Sequence, residues 1–165
     1  MTDLDAQALY ARLRDAVAPW AQDGALLVGI VSGGAWLAER LQADLGLDGP
    51  CGVLSSTLHR DDFAARGLVP TSTTTRLPFA IEGAHLVLVD DVLHTGRTVR
   101  AALNELYDFG RPASVRLAVL ADRGGRELPF AATFAAATLA VPADQRLVLS
   151  RADDGHLVFT QQQGG

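Results

Sequence analysis

The sequence contains no lysine: all 14 basic residues among its 165 are arginine. That absence excludes a lysine Schiff base and the lysine of a Walker-type phosphate loop. Cysteine is nearly absent as well. Cys51 stands alone, so neither an intrachain disulfide nor a multi-cysteine metal site can form. No apolar run approaches the roughly 18 residues of a membrane-spanning helix, and no membrane partner is expected. The N-terminus, MTDLDAQALYARLRDAV, carries acids early and has no uninterrupted apolar core. It does not read as a signal peptide, and the cytoplasm is the expected compartment. Basic residues are outnumbered too: 19 acids give a formal net charge of -5. This argues against strong, sequence-independent binding to nucleic acid, while a local arginine patch stays open.

What is present suits one folded domain spanning 1–165. Hydrophobic residues make up 48% and charged residues 20%, which argues against disorder. Residues 4–18 carry apolar side chains at mixed three- and four-residue spacing, predicting an amphipathic helix that Pro19 ends. The runs at 26–31, 52–58, 85–89 and 115–121 are short and apolar, the pattern of strands buried on both faces. Helical stretches follow the first and third runs, one stopped at Gly46 and one with Gly110 at its end. Strands alternating with helices predict an α/β fold with a parallel sheet. The last third carries weaker strand signals at LAV, RLVLS and HLVFT, predicting a small hood or edge hairpin. QQQGG at the end reads as frayed. The 64–77 stretch has no period, and a loop of that length is either functional or disordered.

Residues 86–98, LVLVDDVLHTGRT, carry the chemistry. Asp90 and Asp91 lie at the carboxyl end of a buried strand, where open α/β sheets bind ligands. Ionised carboxylates only accept hydrogen bonds, which suits sugar hydroxyls and metal-bound water. The turn Thr95-Gly96-Arg97-Thr98 offers backbone N–H groups, hydroxyls and a helix dipole to a phosphate. The segment resembles the phosphoribosyl-pyrophosphate (PRPP) signature of type I phosphoribosyltransferases: four apolar residues, two acids, then a Thr-Gly-x-Thr turn. Together with ALYARL near the start, RDD near residue 60, and GRPASVRLAVLADRGGRELP, it is similar to the PyrR family. Those proteins are uracil phosphoribosyltransferases that in some bacteria also regulate pyrimidine operons by binding mRNA.

The resemblance implies a type I phosphoribosyltransferase fold: a central parallel sheet flanked by helices, with a core at about 25–135. It also implies a small hood from the terminal segments, a mobile loop at about 64–77, and a homodimer or higher homo-oligomer. Asp90 and Asp91 would contact the PRPP ribose directly or through hydrated Mg²⁺, with no metal ligand directly on the protein. Val92, Leu93, His94, Thr95, Gly96, Arg97 and Thr98 would wrap the 5-phosphate. Ser32, Gly33 and Gly34 match the pyrophosphate loop in position. The family pattern there has Lys-Thr-Arg-Gly across Val31 to Gly34, so the charged side chains are missing here. Pyrophosphate would then be held by backbone amides, by Ser32, and by Arg60 or Arg76 from elsewhere. Arg76 is the natural candidate to stabilise the departing pyrophosphate, with a disordered surface loop as the alternative. Asp122 and Arg123 would form the base side, their backbone reading a uracil edge.

The implied reaction converts uracil and PRPP to UMP and pyrophosphate, with a pyr leader mRNA as a further partner. The alternative is an RNA-binding attenuator whose PRPP site only senses nucleotide. A purine phosphoribosyltransferase ranks lower, because the base-side residues look more like PyrR. His59, His85, His94 and His156 share no metal-ligand spacing. Trp20 and Trp36 read as core or interface aromatics. Arg111, Arg116, Arg123 and Arg126 form either an RNA-facing surface or a solvated face.

Overall fold

Alternating strand and helix signals are realised as three helices and seven strands over residues 4–55 and 75–164, the residues that this computed structural model describes. The helices are α1 (Ala6–Gln22), α2 (Gly33–Asp44) and α3 (Arg97–Tyr107). The strands are β1 (Leu26–Ile30), β2 (Gly52–Leu54), β3 (His85–Leu93), β4 (Ser114–Asp122), β5 (Phe134–Thr138), β6 (Gln145–Arg151) and β7 (Leu157–Gln163). Five strands form one parallel sheet in the order β2-β1-β3-β4-β5, and β6 pairs antiparallel with β7.

The sheet is apolar on both faces because both faces are covered. Successive residues of a strand point to opposite sides. Leu27, Val87, Val89, Ala118 and Leu120 pack with α1, α2 and the β6–β7 hairpin. Val28, Ile30, Leu86, Leu88 and Val119 pack with α3 on the other side. Continuous apolar runs are therefore what this layering requires. Leu13 of α1 and Leu41 of α2 are fully buried, and each contributes about 1.5–3 kcal/mol by leaving water.

The sheet order also positions the ligand-binding edge. The chain leaves β1 through α2 to β2 on one side, then returns to place β3 on β1's other side. The carboxyl ends of β1 and β3 thus flank a point where the strand order reverses, the usual crevice for ligands in open α/β sheets.

Several elements differ from the sequence reading. Pro19 lies inside α1, which runs on to Gln22. It sits in the last turn, where Asp23 N–H donates to the Pro19 carbonyl and Ala25 N–H to that of Trp20. Only the hydrogen bond to the Asp15 carbonyl is forfeited there, and Asp15 is exposed, with water at hand. β5 is FAAAT, one segment upstream of LAV. Alanine favours helix over strand, so pairing with β4 imposes this conformation. The first three glutamines of QQQGG complete β7, opposite Leu147, Arg146 and Gln145. Of the 52–58 run, 52–54 form β2, and 56–58 lie outside the described residues, as do 64–74 of the expected loop. α3 ends at Tyr107, before Gly110, while Gly46 follows the α2 cap with positive φ, as expected.

The hairpin is held by one buried cation. Arg123, 8% exposed, follows β4 and donates Nη1 to the Gln145 carbonyl at 2.9 Å. Its Nη2 reaches the carbonyls of Val141 at 3.3 Å and Pro142 at 3.2 Å. Leu149 and Leu157 complete the attachment by entering the core beside α1. Replacing Arg123 with Ala would leave those carbonyls unmatched. We expect a loss on the order of 3 kcal/mol in urea unfolding, with protection from hydrogen exchange lost first across residues 145–163. Unchanged stability would contradict this role.

Candidate active site

The two turns at the strand-order reversal approach each other to the limit that glycine permits. A Cβ on Gly34 would lie 2.3 Å from the Val89 carbonyl oxygen and 3.0 Å from Asp90 Cα. A Cβ on Gly33 would lie 2.5 Å from an Asp91 carboxylate oxygen. No other residue type fits either position without displacement. The glycines thereby seat the N-terminus of α2 directly on the end of β3. Ser32 occupies the α2 N-cap without a side-chain capping bond, and the Val31–Ser32 peptide is cis. The first N–H groups of α2 have no intrahelical acceptor, which makes this end an anion cradle beside two carboxylates.

The two acids are not equivalent. Asp90 is buried, at 7% exposure, and its Oδ1 accepts the Asp91 N–H at 2.9 Å. Asp91 is half-buried, and its Oδ1 accepts the Val92 N–H at 2.8 Å. Asp91 is therefore the carboxylate presented to the crevice, with Asp90 behind it. Val92 and Leu93 continue β3 beside Ala121 and Asp122, and Leu93 is core.

The next turn forms the N-terminus of α3. Gly96 is its N-cap at φ +94°, a left-handed conformation that suits glycine. A Cβ there would also meet Phe130 at 3.1 Å and Leu128 at 3.3 Å. The Thr95 hydroxyl accepts the Arg97 N–H at 3.2 Å. Thr98 lies half-buried in the first turn of α3. Beyond the Arg97 N–H that Thr95 holds, the N–H groups of the first turn of α3 have no intrahelical acceptor, which suits a phosphate.

A third segment, 122–130, braces this turn. Asp122 is the register partner of Leu93, and the Arg123 N–H donates to the Leu93 carbonyl at 3.0 Å. Arg126 then clamps the two loops together. It donates Nη1 to the His94 carbonyl at 2.8 Å, Nη2 to Asp122 at 2.6 Å, and Nε to the Phe130 carbonyl at 2.8 Å. The Thr95 carbonyl accepts N–H bonds from Glu127 and Leu128, while the Arg97 side chain pairs with Glu127 at 3.0 Å. His94 is exposed, lies against Gly125, and hydrogen-bonds the Gly124 carbonyl through Nδ1 at 2.9 Å. A carbonyl only accepts, so Nδ1 carries the proton.

The expected site residues thus fall into two groups. Ser32, Gly33, Gly34, Asp90, Asp91 and the 92–98 turn come together, with Asp122 behind them. Arg123 adjoins them by its backbone, but its guanidinium is spent on the hairpin, so what it can offer a base is its main chain. Arg76 is not brought into this group. Its backbone bridges Val53 at the outer edge of β2, and its side chain lines a cavity of about 390 Å³ with Glu39, Gln42 and Cys51. Arg60 lies outside the described residues. Sequence reasoning missed the clamping role of Arg126 and Glu127. The only available signal was their proximity to Asp122, since partners about thirty residues away leave no local pattern.

The hydrogen bond from Arg126 holds the Asp122 carboxyl below the usual carboxylate range, helped by the Gly124 N–H and opposed by partial burial. The contribution of this pair is therefore complete above an unfolded carboxylate pKa of about 4, and is lost as pH falls through the lower folded value. Arg126→Met should loosen the 94–98 turn, weaken phosphate-ester binding about tenfold, and flatten the acid limb of thermal stability. An unaltered melting profile between pH 5 and pH 2 would refute the clamp.

Comparison with known proteins agrees with this geometry. The sequence pattern of the phosphoribosyl transferase domain matches residues 4–137. The bifunctional protein PyrR of Ralstonia nicotianae is 50% identical over 96% of this chain and 95% of its own length. The protein of the same name from Pseudomonas entomophila is 54% identical over 74% of this chain and 72% of its own. Among solved structures, the hypoxanthine phosphoribosyltransferase of Trypanosoma cruzi superposes with a TM-score of 0.60 over 99% of this chain and 98% of that one. At 19% identity that likeness speaks to the fold alone.

Proposed function

The chain belongs to the phosphoribosyl transferase domain family and, within it, to the PyrR family, and on that premise we propose that this pentosyltransferase joins uracil to PRPP, yielding UMP and pyrophosphate. The observation that carries the proposal is the seating of the α2 N-terminus, with its glycines, against Asp91 at the end of β3. One ligand with an anion at each end and a diol between them fits that arrangement. The 5-phosphate lies on the N–H groups of the 95–98 turn, the ribose hydroxyls on Asp91 and Asp90, and the pyrophosphate over Ser32, Gly33 and Gly34.

The bond from the anomeric carbon to pyrophosphate breaks as the bond to the uracil ring nitrogen forms, and that nitrogen loses its proton. Positive charge grows on the ribose and negative charge on the leaving group. The carboxylates beneath the ribose stabilise the first, and the N–H groups of α2 the second. The backbone of 122–125, fixed by Arg126, supplies the surface on which a flat pyrimidine edge is read. Mg²⁺, bound with PRPP, would add Lewis-acid stabilisation of the pyrophosphate. The donor set fits such an ion: two adjacent carboxylates, Asp90 and Asp91, which are hard oxygen donors. Mg²⁺ is characteristically held by few protein ligands together with substrate oxygens and water.

The proposal includes binding to a pyr leader mRNA in response to uridine nucleotides, assembly as a homodimer or higher homo-oligomer, and residence in the cytoplasm. It is supported by identity to PyrR proteins along the chain. Among the described residues, no helix is long and apolar enough to cross a membrane. A purely sensory attenuator is the less favoured reading, a ranking that the gathering of Asp90, Asp91, the 95–98 turn and the α2 N-terminus at one edge supports.

Labelled uracil incubated with PRPP and Mg²⁺ should give labelled UMP. Asp91→Asn should lower kcat/KM at least a hundredfold with the melting temperature little changed, since the half-exposed carboxylate supports the ligand rather than the core. No nucleotide from the unaltered protein, or full turnover in the variant, would contradict the assignment.

A further inference from the structure

The Ser32–Gly34 loop contains no charged side chain of its own, and a cation from the far end of the chain stacks on the helix that this loop opens. Arg151 closes β6, and its guanidinium lies 5.0 Å from the ring centre of Trp36. Trp36 sits in the first turn of α2, its N–H donating to the Ser32 carbonyl. Trp36 is thus two residues beyond Gly34 and four beyond Ser32, about 3–6 Å along the helix axis. We propose that Arg151, held on Trp36, supplies to the pyrophosphate of PRPP the positive charge that the Ser32–Gly34 loop lacks.

Three observations converge on this residue. First, its charge is unspent: Arg151 is exposed and makes no ion pair among the described residues. The adjoining turn is closed on itself, with the Ala152 N–H on the His156 carbonyl and the His156 N–H on Asp154. Second, its position is fixed from both ends of the hairpin, by Arg123 on the Gln145 carbonyl and by the Trp36 ring. Stacking on an aromatic face leaves the edge donors of a guanidinium free for phosphate oxygens. Third, the other arginines of this face lie further down α2 or are engaged. Arg76 lines the cavity beside Glu39 and Ala43, and Arg40 lies over Tyr10 next to Asp44.

This inference rests on the phosphoribosyl reading, and titration calorimetry on the full chain with Mg²⁺ separates the two. PRPP carries the pyrophosphate, whereas UMP has the 5-phosphate and ribose without it. Arg151→Gln should weaken PRPP binding on the order of tenfold at 0.1 M salt while leaving UMP affinity unchanged. Arg151→Lys should retain more of the PRPP affinity than the glutamine variant, and Trp36→Leu should lose part of it. Equal PRPP affinity in Arg151→Gln and the unaltered protein would overturn the inference. So would a parallel loss for PRPP and UMP, which would mark a merely structural role. If the unaltered protein binds UMP but not PRPP, the phosphoribosyl reading itself fails, and the inference with it.

Discussion

The site depends on one constraint, the contact between the start of α2 and the end of β3. With Gly34 pressed on the Val89 carbonyl and Gly33 on the Asp91 carboxylate, the loops after β1 and β3 become two walls of one crevice. Sheet order makes this possible, because the strand order reverses between those two parallel strands. Parallel neighbours place both carboxyl ends at the same edge, so two helix N-termini, α2 and α3, meet there. Each brings N–H groups that lack an intrahelical acceptor, and between them stands a carboxylate pair. Close approach without a Cβ is the condition for the rest.

Anion recognition without lysine follows from the same geometry. Backbone N–H groups and helix ends carry no titrating proton and need no long side chain to be ordered, so they bind phosphate at low entropic cost. Arginine is used mainly to hold the backbone in place. Arg126 fixes the 94–98 turn against Asp122, and Arg123 fixes the hairpin against the sheet. In both, a planar guanidinium satisfies several carbonyl or carboxylate oxygens at once, which an ammonium on a flexible stem does less well.

The sequence was legible where chemistry is local. Four buried runs marked β1 to β4, and the acids, glycine and threonines of 90–98 lie within nine consecutive residues. It was silent where conformation is imposed from outside. The three alanines of FAAAT have no strand preference of their own, and the segment becomes β5 by pairing with β4 and by the Arg12 guanidinium on the Ala136 carbonyl. The glutamines near the C-terminus are ordered by strand partners on β6. Pro19 is tolerated because it falls in the last turn of α1. The side chains of Arg76, Arg123 and Arg126 read alike in the sequence, yet one lines a cavity beyond β2, one is buried under a hairpin, and one clamps the phosphate turn. Only the partners distinguish them, and those lie far along the chain.

The central claim is that the two loops form a single site for a phosphoribosyl group. A crystal structure of the full chain with UMP and Mg²⁺ tests it most directly. The account predicts the phosphate on the N–H groups of residues 95–98, the ribose hydroxyls against Asp91 and Asp90, and the uracil along the 122–125 backbone. UMP bound away from the β1–β3 crevice, or within it but with its phosphate on Ser32–Gly34, would contradict the account.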